Sequence, residues 1–65
     1  MPVVKIDVWA GMENDTKRKV IQSVSKAISD SMGVPIEHIH IIINEAPKEN
    51  WGLRGDQASR MQIKK

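Results

Sequence analysis

The run Ile39-His40-Ile41-Ile42-Ile43-Asn44-Glu45 constrains the fold more than any other stretch of this sequence. Its centre, Ile41-Ile42-Ile43, is apolar on both faces of an extended strand, the pattern of a strand covered on both sides. The chain has 65 residues and room for one long helix. One helix covers one face of a small sheet. The other face needs a cover from outside, and a second copy of the chain is the economical one. Length points the same way. A chain this short buries only about 60% of its unfolded surface and usually draws on a disulfide, a metal or a partner. The sequence has no cysteine and two histidines, His38 and His40. That excludes disulfides and thiolate sites and leaves too few imidazoles for an obvious metal cage. Oligomerisation is the remaining source of burial.

Ahead of that strand, residues 3–9 alternate: Val4, Ile6 and Val8 on one face, Val3, Lys5, Asp7 and Trp9 on the other. This predicts a half-buried first strand. Gly11 supplies the turn, Asn14 is the expected helix N-cap, and Asp15 sits where the helix dipole favours a negative charge. From Asp15 to Met32, Val20, Ile21, Val24, Ala27, Ile28 and Met32 trace one helical stripe. Gly33 stands where a C-terminal helix glycine belongs, and Pro35 forbids continuation. "PIEH" suggests a single short turn before the second strand, placed at Ile39 to Glu45. A strand, a helix and a strand in this order predict parallel strands joined by a right-handed crossover. Beyond them, Pro47, Gly52 and Gly55 break the chain into a loop and a short hairpin or extended arm, then a polar tail. The expected fold is α/β (α+β), a single domain over residues 1–65. It is a β-α-β unit with two parallel strands, one amphipathic helix and a short C-terminal hairpin.

Ten Lys+Arg against eight Asp+Glu leave a net charge of +2. The positives are spread, apart from Lys17-Arg18-Lys19 and Lys64-Lys65, which read as solvated surface. The expectation is no nucleic-acid partner. No run approaches the ~20 apolar residues of a membrane span, and no basic-then-apolar leader stands at the start. These features fit a cytoplasmic protein without a membrane partner.

Several chemistries lack their residues. There is no phosphate-cradling glycine loop and no nucleophile-elbow pattern. His38 and His40 would share a side if both lay in the strand, but two ligands make no metal site without a third. What remains is Pro2. It has two readings. A proline suits a strand start, because it has no N–H to donate. Alternatively, Met1 is removed and Pro2 carries a free secondary amine. An α-amino group has a reference pKa of about 7.7–8. Burial or nearby cations lower it further, which suits a general base at neutral pH.

The stretches "MPVVKIDVWAG", "TKRKVIQSVSKAIS", "GVPIEHI", "HIIINE" and "KENWGLRG" resemble the 4-oxalocrotonate tautomerase family along nearly the whole chain. The most specific features are Pro2, Gly11 before the helix, and the pair Trp51-Gly52. The resemblance implies a subunit that dimerises into a four-stranded sheet, with dimers associating as trimers into hexamers. It implies loss of Met1, a Pro2 amine as the catalytic base, and no metal or organic cofactor. The implied reaction is a keto–enol isomerisation of a 2-hydroxy-dienoate or an enolised 2-oxo acid. Trp51 matches an apolar aromatic wall, and Trp9 and His38 match positions near the substrate. The family's dicarboxylate-handling members carry arginines where this chain has Met12 and His40. His40 is a candidate hydrogen-bonding replacement, and Arg54 or Lys48 a candidate replacement for the missing charge. Two alternatives stand beside this reading. One is a catalytically silent oligomeric binding module of the same fold. The other is a related proline-dependent hydratase or decarboxylase.

Overall fold

The computed structural model describes residues 1–61. The first strand, β1, runs Val3–Trp9, the helix α1 Asn14–Met32, and the second strand, β2, His40–Ala46. The strands are parallel and in register from Val3 opposite His40 to Trp9 opposite Ala46. Two short strands, β3 (Gly52–Leu53) and β4 (Asp56–Gln57), form an antiparallel hairpin beyond the sheet. This is the expected β-α-β unit with its C-terminal hairpin. The polar tail expected at Lys64-Lys65 lies outside the described residues.

Glu45 of β2 pairs with Lys17 of α1, which identifies the face that α1 covers. Ile41 and Ile43 share that face, as do their register partners Val4 and Ile6, and all four are half-buried. The opposite face carries Val3, Lys5, Asp7 and Trp9 from β1, with His40, Ile42 and Asn44 from β2. Val3 is 53% and Ile42 41% exposed there. The triplet of isoleucines is thus covered on one side only. Among the described residues no large side chain is fully buried.

The helix start and both ends of β2 differ by one residue from the sequence expectation, β2 running on to Ala46. Asn14 is the first helical residue, and Glu13 takes the cap position without a capping side-chain bond. The turn ahead of the helix is held from outside instead: the Gly11 N–H donates to Glu45 Oε2 at 3.2 Å. A long-range acceptor thus does the work assigned to a local one. The second strand starts at His40, one residue late. Residues Ile36–His38 form a one-turn 3-10 helix, closed by Ile39 N–H donating to Ile36 O at 3.2 Å. His38 therefore lies outside the strand and shares no strand face with His40.

The helix ends as expected. Gly33 adopts the left-handed conformation at φ 69° and donates its N–H to Ser29 O. Ser29 Oγ then donates to Val34 O at 2.7 Å, fastening the exit loop. The stripe that α1 lays on the sheet is narrower than its apolar set. Val20, Val24 and Ile28 are half-buried, while Ile21 and Met32 stay 38% and 58% exposed. Ser25, polar by type, is buried.

The hairpin closes back on itself. Ala58 N–H donates to Trp51 O at 2.8 Å, and the Gln57 side-chain amide donates to Glu49 O at 3.0 Å. Ala58, 1% exposed, fills the space beneath. Arg54 makes the tip of the turn with φ 57°, beside Gly55 at φ 81°.

Candidate active site

Apart from Arg54, the candidate site residues singled out in the sequence fall into two groups, one at each end of the sheet. Pro2 heads β1. Its carbonyl accepts the His40 main-chain N–H at 3.0 Å, and the next residue, Val3, stands opposite His40. The ladder itself therefore makes Pro2 and His40 neighbours. His38 precedes β2 at the same end. Pro2 is half-buried and His40 exposed. Met1 is 87% exposed, with none of the described residues covering its side chain.

Trp9 ends β1 at the far side. Its ring meets Trp51 edge to face, with centroids 6.3 Å apart and planes at 82°. Lys48 Nζ lies 4.8 Å from the Trp9 ring centroid, inside the range of cation–π attraction. These contacts explain why Trp9 is half-buried although it lies on the face away from α1. Among the described residues the Trp9 indole nitrogen is buried without a hydrogen-bond partner. Arg54 is not gathered into this group. It sits at the hairpin tip, with no hydrogen bond or ion pair among the described residues.

Six residue steps of parallel strand separate Val3 from Trp9, about 20 Å. Within one chain, Pro2 with His40 and Trp51 with Lys48 do not share a site.

A third group escaped the sequence reading. Glu45 sits at the C-terminal end of β2, on the face toward α1, and takes both Lys17 and the Gly11 N–H. The hydrogen-bonded Lys17 ammonium holds its carboxyl below the usual glutamate value, with partial burial opposing and the Gly11 and Met12 N–H groups adding to the effect. Its signal was present: in Ile41, Ile43, Glu45 a charge replaces the next apolar residue on a covered face, and such a charge demands a partner. The clamp fixes the turn that carries Met12. Gly11 there has φ 114°, a region that side-chain-bearing residues rarely enter.

The described residues bring no three histidine or carboxylate side chains together as a metal cluster, and no helix among them is long and apolar enough to cross a membrane. A parallel β-α-β unit with a distal hairpin, headed by a proline, defines a tautomerase-type subunit. Comparison with known proteins agrees. Residues 2–60 match the family model described as tautomerase enzyme. A 2-hydroxymuconate tautomerase of Pseudomonas fluorescens is 38% identical over 61 residues, covering 94% of this chain and 97% of that one. The structure of a 4-oxalocrotonate tautomerase isozyme from Methylibium petroleiphilum superposes with a TM-score of 0.87 at 36% identity, covering 89% of this chain and 94% of that one. A heterohexamer 4-oxalocrotonate tautomerase from Chloroflexus aurantiacus shares the fold, with a TM-score of 0.90 at 22% identity over 95% of this chain and 100% of that one. The chain belongs to the tautomerase family, and within it to the 4-oxalocrotonate tautomerase family. It is an isomerase of the tautomerase class.

Proposed function

We propose that the chain converts an enolised 2-oxo acid or a 2-hydroxy-dienoate to its ketone, with the Pro2 amine as the base. After loss of Met1, the Pro2 nitrogen accepts the enol hydroxyl proton and returns a proton to carbon, leaving the carbonyl. The double bond moves and no atom is gained or lost. No cofactor is required, because an α-amino group as a class has a reference pKa of about 7.7–8, which suits proton transfer at neutral pH. The observation that carries this reading is the position of Pro2. It heads a strand beside His40, behind an exposed methionine.

The site is completed between copies of the chain. Pro2 and His40 lie at one end of the sheet and Trp51 at the other, so an apolar wall beside Pro2 comes from a neighbour. The exposed Val3 and Ile42 supply an apolar surface for that association. We place the protein as a homo-oligomer of the hexameric kind, in the cytoplasm. His40, at the position of a family arginine, donates a hydrogen bond to the substrate's carbonyl or carboxylate oxygen. Loss of arginine at positions 12 and 40 changes substrate preference rather than reaction type.

Two measurements test this together. Intact mass of protein made without an N-terminal tag shows loss of Met1. A Pro2→Ala variant then loses about 10²–10⁴-fold in kcat/KM for ketonisation of a simple enol acid. Retention of Met1 by an active protein, or parental rates in the variant, would overturn the assignment.

A further inference from the structure

We propose that Lys5 and Asp7 form a reciprocal charge pair between two copies of the chain: β1 docks antiparallel on β1 of a second copy, and Lys5 of each chain meets Asp7 of the other. The proposal deepens the oligomeric reading above and rests on it. Lys5 and Asp7 are the two charged residues of β1, and both are exposed on the face away from α1. Among the described residues neither side chain makes a hydrogen bond or an ion pair. The same face carries the exposed Val3 and Ile42, so a cover over it encloses apolar surface and two charges together. A charge covered without a partner is strongly destabilising. The cover must therefore bring a carboxylate to Lys5 and a cation to Asp7.

A second copy brings both in one arrangement. When two identical strands run antiparallel about a two-fold axis at Ile6, position 5 of each meets position 7 of the other. Both contacts are then cross-strand pairs of opposite charge, which stabilise. A parallel, in-register approach sets Lys5 on Lys5 and Asp7 on Asp7, which repels. The second strand offers no such pair. On this face it carries His40, Ile42 and Asn44, and its Glu45 is engaged with Lys17 on the other face. Among the described residues β1 has β2 on one side and no strand on the other, so its outer edge is open to a further strand. A lysine alone on such an edge repels a second copy. A lysine with an aspartate two residues on is complementary to its own reverse. The same axis lays the Val3 end of one strand beside the Trp9 end of the other, and so also brings the two halves of the divided site together.

Charge reversal tests the pairing. Lys5→Asp and Asp7→Lys each set like charges opposite one another, and each is expected to weaken self-association about tenfold or more in sedimentation velocity. The exchanged variant Lys5→Asp/Asp7→Lys restores the pair in reverse and assembles as the parent does. An equal mixture of the two single variants also assembles, and native mass spectrometry finds the two chains in equal number. Single variants that assemble like the parent, a mixture that stays dissociated, or mixed assemblies of unequal composition would overturn the pairing. Where a single variant fails to fold, the neutral variant Lys5→Gln/Asp7→Asn decides. Added salt weakens assembly of the parent and not of this variant, and equal salt dependence overturns the proposal. A parent that sediments as a single chain overturns the oligomeric reading and the pairing with it. An assembled parent with indifferent variants overturns the pairing alone.

Discussion

Pro2 gives the sheet an acceptor and asks for nothing in return. Its carbonyl takes the His40 N–H, and a residue without an N–H leaves no donor unpaired at the strand head. The same position therefore suits a strand start and, on the proposed reading, a base as well, which is why composition alone leaves both readings standing. His40 differs: its backbone is fixed by Pro2, but its side chain is exposed and free to meet a ligand. His40→Arg is expected to lower KM for a dicarboxylate enol about tenfold, since it adds a permanent charge beside Pro2, the proposed base. Steady-state kinetics on 2-hydroxymuconate check this, and an unchanged KM would remove position 40 from the site. His40→Ala with unchanged kinetics on every enol would do the same.

At the scale of elements, the helix and its stop signals were legible. Gly33 and Pro35 ended α1 where a glycine free to adopt φ 69° and a proline must end it. Gly33→Ala is expected to cost about 1 kcal/mol of stability by denaturant unfolding, because alanine resists that backbone conformation. The start of the helix was misread by one residue. Asn14 has the right chemistry for a cap, but Glu45, remote in sequence, already holds the turn. Such a long-range bond carries no local signature. The buried Ser25 was hidden for a similar reason, since its type says surface and its place on α1 says core.

The Glu45 clamp gives the fold an acid limb. Its carboxyl is depressed below the ordinary value of 4.5 in the folded chain, chiefly by the Lys17 hydrogen bond. A depressed carboxyl contributes stability above its unfolded value and loses it as pH falls through its folded value. Glu45→Gln is therefore expected to lower the Tm at neutral pH, with the gap to the parent closing below pH 4.5. A gap that stays constant through that range would show that the ion pair contributes nothing.

For the whole molecule, the sequence foretold a missing cover and the structure shows where it is missing. Val3 and Ile42 lie open on the face away from α1, and Ile21 and Met32 flank the helix stripe. Ile42→Glu is expected to shift the protein to smaller species in sedimentation velocity and to remove activity with it. The division of the site was not legible beforehand. Strand register places Pro2 beside His40, and only the fold of the distal arm places Trp51 against Trp9, at the opposite end. On the proposed reading, residues that act together are thus kept apart in each chain and are joined by assembly.

Mixing two disabled chains tests that claim most directly. Pro2→Ala and Trp51→Ala proteins, each inactive alone, are refolded together from denaturant and assayed for enol ketonisation. With one residue drawn from each of two neighbouring copies, random assembly restores both native groups in about a quarter of the sites. The account predicts recovery of that order. A mixture no more active than its separate components would contradict it.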